Sequence, residues 1–166
     1  EKFGIDGEII KNSDIKDIFE LLEYKLKNNK KNNFNLGIGH TRWATHGGKT
    51  DYNSHPHISN NNELSIVHNG IISNYNDIKE NYLSNYNFNS NTDTEVIINL
   101  IQYFQDNTKL EMLEILEKIK DILEGTWACI IHDIKDPNRL YFMKNENPLL
   151  IGINNDVTMF TSEPSG

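Results

Sequence analysis

Apolar residues along this chain fall into stretches of two different periods. From Ser13 to Lys27, Ile15, Ile18, Phe19, Leu21, Leu22 and Leu26 recur at helical spacing, with Ser13 or Asp14 placed to cap the helix. Leu36 to Trp43 and Leu64 to His68 read instead as strands, the first running into a bend at Gly47-Gly48 and the second ending at the turn dipeptide Asn69-Gly70. Asp77 to Leu83 predicts a short helix. Thr92-Asp93-Thr94-Glu95 has the spacing of a capping box, opening a helix with Val96, Ile97, Leu100, Ile101 and Phe104 on its buried side. Lys109 to Leu123 predicts the next helix, with Leu110, Leu113, Leu116, Ile119, Ile122 and Leu123 inward and Gly125 closing it. Strand runs follow at Thr126 to His132, Leu140 to Lys144, Leu149 to Ile153 and Val157 to Thr161, as a meander. Strands on both sides of a helix pair point to an α+β arrangement, sheets covered by helices, rather than strict βαβ alternation.

A length of 166 residues suits one domain, residues 1–166, with enough core to do without disulfides. A hydrophobic share of 37% against 24% charged is globular rather than disordered. The formal charge of -8 and pI near 5.2 exclude nucleic acid and anionic membrane as partners, because no basic stripe is present to release counterions. Cys129 alone makes no internal disulfide and suits a reducing compartment, the cytoplasm. No run is apolar enough for a membrane span, and Glu1-Lys2-Phe3-Gly4 has no signal core. The ends, without an initiator Met and closing on Ser162-Glu163-Pro164-Ser165-Gly166, lead us to expect a piece of a longer polypeptide. Asparagine clusters such as Asn60-Asn61-Asn62 read as loops without a chemical role.

Polar and glycine residues interrupt the apolar pattern in a few blocks: Gly39-His40-Thr41-Arg42-Trp43-Ala44-Thr45-His46-Gly47, His55-Pro56-His57, Val67-His68-Asn69-Gly70-Ile71-Ile72-Ser73-Asn74 and Thr92-Asp93-Thr94-Glu95-Val96. Singly, each has a structural explanation: Arg42 as a surface cation, Asn69-Gly70 as a hairpin turn, Asp93 as a helix-dipole partner. The spacing of His46, His55, His57 and His68 fits no zinc pattern, and hydrogen bonding to loop backbone is the better assignment. No Gly-x-Ser-x-Gly elbow supports a serine hydrolase, and no phosphate-cradling glycine motif is present. Together, however, the blocks supply what recognition of a free amino acid requires. The Arg42 guanidinium can grip an α-carboxylate and the Asp93 carboxylate an α-ammonium, while Asn69 and the Gly70 N–H form a donor pair of oxyanion-hole type.

In their order and spacing these blocks resemble the class II glutamine amidotransferases, and among them the glutaminase half of the glutamine:fructose-6-phosphate amidotransferases, from about Leu36 through Ser162. Trp43-Ala44-Thr45-His46 favours this hexosamine branch over the phosphoribosyl-pyrophosphate enzymes. The resemblance implies an N-terminal-nucleophile fold, an αββα sandwich of antiparallel sheets between helix layers. It also implies a mechanism: a cysteine at the mature N-terminus, with its own α-amino group as base, attacks the glutamine amide. A thioester and ammonia form, and water releases glutamate. By position, Arg42 and Asp93 would hold the α-groups of L-glutamine, Thr45 and His46 would lie in the loop that closes on it, and Asn69 and Gly70 would form the oxyanion hole. Trp43 would gate the ammonia channel. The implied partner is a downstream sugar isomerase domain handling fructose-6-phosphate, in a homo-oligomer, with no cofactor and no metal.

The sequence departs from that pattern at its start. The family has the nucleophile within roughly 40 to 50 further residues upstream of Glu1, a length typical of the first elements of such a domain. Cys129 cannot replace it, being placed in the apolar run Thr126-Trp127-Ala128-Cys129-Ile130-Ile131 where cysteine behaves as a small hydrophobe. The chain as given is therefore expected to be inactive. A glutamine sensor without catalysis, or another class II synthase, would carry the same zwitterion reader.

Overall fold

A computed structural model describes residues 2–3, 7–8, 35–42 and 50–164 of the chain. Near the N-terminus a short strand β1 (Lys2–Phe3) pairs antiparallel with β2 (Gly7–Glu8). The helix expected from Ser13 to Lys27 and the bend at Gly47-Gly48 lie outside the described residues. Of the strand expected from Leu36 to Trp43, residues 36–42 are described and join no ladder. The first sheet element after them is β3 (His57–Ile58), followed by β4 (Leu64–Ile72).

The remaining elements run in the expected order: α1 (Tyr75–Tyr82), α2 (Thr94–Asn107), α3 (Met112–Lys120), β5 (Gly125–Asp133), β6 (Leu140–Asn145), β7 (Leu150–Ile153) and β8 (Thr158–Thr161). A four-stranded antiparallel sheet has the order β3-β4-β5-β6, while β7 and β8 pair separately. The late strands therefore form two hairpins in different sheets rather than one continuous meander. The α+β class is as expected.

Strand alternation puts Leu64, Ile66 and Ile72 of β4 on the same face as Trp127, Cys129 and Ile131 of β5, and this face meets the helices. Against it lies α2, whose Val96, Ile97, Ile98, Leu100 and Ile101 have no exposed surface. The sequence predicted an apolar stripe, but α2 is enclosed on more than one side because α1 and α3 pack on it as well. Each fully buried Leu or Ile contributes about 1.5–3 kcal/mol, so this helix anchors the domain.

Burial also reaches polar residues of α2. Asn99 Oδ1 accepts from Asn60 N–H at 3.0 Å and Gln102 Oε1 from Asn61 N–H at 3.1 Å, so the Asn60-Asn61 turn is tied to the core rather than being a free loop. α3 is shorter than expected, and Leu113, placed inward by its spacing, is 67% exposed. Its capping box is Glu111 with Glu114, and the core side is carried by Met112, Ile115, Leu116 and Ile119. Gly125 opens β5 instead of closing a helix: at φ 117 it lies where a Cβ would collide with the Ile71 carbonyl.

Candidate active site

β4 does not stop at Asn69-Gly70. The ladder to β5 continues through Asn69↔Ala128, Gly70↔Trp127 and Ile71↔Thr126 to Ile72↔Gly125, so the dipeptide is mid-strand and the hairpin-turn explanation is wrong. Glycine is required there for a different reason. Gly70 has φ 132, and a Cβ would collide with the Thr126 carbonyl oxygen, lie 2.7 Å from its carbon and 2.6 Å from Asn147 Nδ2.

β3 pairs with β4 at His57↔Ile66 and Ile58↔Ser65, and among the described residues no strand pairs with the further half of that β4 edge. N–H groups of alternate residues point to the same edge of a strand, so His68, Gly70 and Ile72 share it. Side chains take the flanking ones: His68 N–H donates to His55 Nδ1 at 3.3 Å, and Ile72 N–H donates to Asp93 Oδ2 at 2.7 Å. Between them the orientation of Gly70 N–H follows from its peptide. Asn69 C=O accepts from Asn147 Nδ2 at 2.7 Å on the opposite side, and a trans peptide aims the next N–H the other way.

A cavity of about 230 Å³ opens along this edge, lined by Arg42, Asn69, Gly70 and Asp93 together with His40, His55, His68 and Thr94. It is below the roughly 300–1,000 Å³ of sites for drug-sized ligands and suits an amino acid. The cation, the carboxylate and the donor pair selected in the sequence thus line one cavity, although Arg42 and Asp93 are far apart in the chain. Arg42 is half-buried rather than a surface cation. Asp93 precedes α2 but makes no side-chain cap bond; its Oδ2 holds the strand through Ile72 N–H, and its side chain lines the cavity. The expected capping box is absent because Glu95 turns back, its carboxylate accepting from Asn89 N–H at 2.9 Å and from Ser90 N–H and Oγ–H at 2.7 Å each. Trp43, Thr45 and His46 lie outside the described residues.

Histidines form the back wall. His40 and His55 stack with centroids 4.2 Å apart, and His55 meets His57 edge-on at 4.8 Å. His57 Nε2 shares a hydrogen bond with Thr92 Oγ1 at 3.0 Å, and His68 Nδ1 one with Thr94 Oγ1 at 2.9 Å. Threonine hydroxyls thus partner His57 and His68, and strand backbone partners His55, where loop backbone was expected. Burial lowers His40, drives His55 far below the ordinary imidazole range, and lowers His68 to about 4 against the opposing pull of Asp93. His40, His55 and His68 are therefore neutral at neutral pH, with the Arg42 guanidinium as a cation beside them. Cys129 is fully buried behind it, and burial pushes its thiol up, so it is no nucleophile.

Sequence reasoning missed Asn147, which lies beyond β6 and 78 positions from Asn69. It also gave His40 no role of its own, although His40 Nε2 stands 2.7 Å from Asn69 Oδ1.

Several known proteins are similar to this chain. The family described as "Glutamine amidotransferase domain" matches residues 40–166. The glutamine–fructose-6-phosphate aminotransferase [isomerizing] of Streptococcus agalactiae serotype V is 41% identical over 149 residues, covering 90% of this chain and 25% of that protein. Its namesakes from Streptococcus pneumoniae serotype 4 and Staphylococcus aureus strain Mu50 are 45% and 44% identical over 76% and 77% of this chain, and 21% of each relative is covered. The chain spans about a quarter of the length of these curated relatives. Among solved structures, the glutamine phosphoribosylpyrophosphate amidotransferase from B. subtilis complexed with ADP and GMP superposes with a TM-score of 0.61 at 26% identity, over 76% of this chain and 27% of that one. A structure described as the allosteric regulatory enzyme of purine biosynthesis gives 0.62 at 27% identity with the same coverage. The fold is thus the α+β fold of N-terminal-nucleophile amidotransferases, and the chain belongs to the glutamine amidotransferase domain family.

Proposed function

We propose that this chain is the glutaminase part of a longer, cytoplasmic, homo-oligomeric enzyme that makes glucosamine-6-phosphate from fructose-6-phosphate and L-glutamine for hexosamine synthesis. The observation that carries the glutamine half is the lining of one cavity by Arg42, Asp93, Asn69 and Gly70. The acceptor half rests on the relatives of 41–45% identity, all named for fructose-6-phosphate. No helix among the described residues is long and apolar enough to cross a membrane, in keeping with that location.

In this reading Arg42 pairs with the glutamine α-carboxylate and Asp93 with its α-ammonium. These contacts orient the side-chain amide toward Asn69 and Gly70. A cysteine thiolate at the mature N-terminus, outside this chain, adds to the amide carbon. The carbonyl oxygen becomes an oxyanion held by Asn69 Nδ2 and Gly70 N–H. Collapse, with a proton delivered to the leaving nitrogen by the N-terminal amine, releases ammonia and leaves a thioester that water hydrolyses to glutamate. Thr45 and His46 close over the substrate and Trp43 gates the passage of ammonia to a sugar isomerase domain.

The test is to supply the complete polypeptide with L-glutamine and fructose-6-phosphate and to measure glutamate and glucosamine-6-phosphate. Both should form in equal amounts. Binding of glutamine without turnover would make the protein a sensor, and glutamate without the amino sugar would move it to another class II synthase.

A further inference from the structure

The two proposed oxyanion donors belong to one residue pair, and neither is held in place by the β4–β5 ladder alone. A primary amide at Asn69 can turn about its last bond and present oxygen rather than nitrogen to the cavity, which would repel an oxyanion. A glycine at φ 132 allows its peptide to rotate as well. Each freedom is removed by a contact from outside the strand. On the cavity side, His40 Nε2 is 2.7 Å from Asn69 Oδ1. The ring is neutral because burial lowers it, so it has one N–H, and an oxygen acceptor at that distance places the proton on Nε2. The ring plane is fixed in turn by the stack on His55 at 4.2 Å. On the other side, Asn147 Nδ2 donates to Asn69 C=O at 2.7 Å. Asn147 is set by a tight bend, its N–H donating to Asn145 C=O at 2.8 Å after Glu146 at φ 66.

We infer that His40 and Asn147 are positioning residues for catalysis: His40 holds Asn69 Oδ1 so that Nδ2 faces the reacting oxygen, and Asn147 holds the Asn69 carbonyl so that Gly70 N–H does. Neither residue touches the reacting atoms. The inference rests on Asn69 and Gly70 being the oxyanion donors.

The experiment measures ammonia release from L-glutamine by the complete polypeptide for His40→Ala, His40→Gln, Asn147→Ala, Asn147→Asp and Asn69→Ala, with His40→Ala also combined with Asn69→Ala. Misaimed donors lower kcat roughly 10- to 100-fold and leave KM nearly unchanged, since the loss is confined to the transition state. Glutamine at position 40 restores an N–H at similar reach and recovers most of kcat. Aspartate at position 147 keeps the shape of the side chain but sets an acceptor against the Asn69 carbonyl, so it is at least as damaging as alanine; a loop-packing role would spare it. In the combined variant His40→Ala adds no loss to Asn69→Ala. Full additivity of that pair, or near-normal turnover in Asn147→Asp, overturns the inference while the donors stand. An unchanged kcat in Asn69→Ala overturns the donor assignment itself, and the inference with it.

Discussion

Replacing Asp93 by asparagine separates the structural task seen for this carboxylate from the binding task we propose for it. One oxygen accepts from Ile72 N–H at 2.7 Å, and an asparagine oxygen can take over that bond at little cost to the fold. What is lost is the charge facing the cavity. If the other oxygen receives the α-ammonium of glutamine, removing a buried charge contact costs about 2–5 kcal/mol, a rise in KM of roughly 30- to 5,000-fold. Asp93→Ala should match that rise and also strand the Ile72 N–H, adding about 1–3 kcal/mol of lost stability. Ammonia release by the complete polypeptide reports the first quantity and urea unfolding the second. Glutaramate, which is glutamine without its α-amine, sharpens the assay because its weak turnover should be nearly indifferent to Asp93→Asn. A residue acting only as a helix-terminal charge predicts the reverse, a stability loss of about 0.3–1 kcal/mol with KM unchanged. That outcome, or equal sensitivity of glutamine and glutaramate, would refute the assignment.

Further consequences are open to measurement. Gly70→Ala combines a backbone strain of about 1–3 kcal/mol with a similar overpacking cost against Thr126, so urea unfolding should show a loss of about 2–6 kcal/mol; a loss below 1 would contradict the observed close approach. His68 falls from 6.5 to about 4 on folding, so between these values the unfolded chain binds the extra proton. From this group stability is thus full above 6.5 and declines as pH falls toward 4, by about 3 kcal/mol, and His68→Asn should make the acid-side decline shallower while leaving the part due to His40 and His55. Cys129 should resist alkylation in the folded protein and react on unfolding, whereas labelling of the native thiol would contradict its full burial.

α2 and β5 were legible because their apolar periods match the faces they bury, whereas β7 was legible from its residue types alone, all four of its residues being exposed. Val96, Ile97, Leu100, Ile101 and Phe104 all pack inward as their spacing requires. Leu113 shows the limit: its position on the stripe is apolar, but no described element covers that side of α3. Asn69-Gly70 was misread as a turn because a glycine with positive φ serves a hairpin and a close strand crossing equally well, and only the ladder distinguishes them. Glu95 looked like a capping partner for Thr92, but the Asn89-Ser90 backbone offers it more donors. Charged and amide groups in apolar surroundings marked the cavity residues without any knowledge of their geometry. Asn147 gave no such signal, since a polar residue beside Pro148 in a loop is ordinary until the chain brings it to Asn69.

The central claim is that the Asn69-Gly70 segment of β4 stabilises the oxyanion of glutamine hydrolysis, and the kcat of Asn69→Ala in the complete polypeptide tests it most directly. Loss of one such donor should lower kcat on the order of 100-fold with KM for L-glutamine little changed. A kcat equal to that of the unaltered protein, in a variant that folds and binds glutamine normally, would contradict the account.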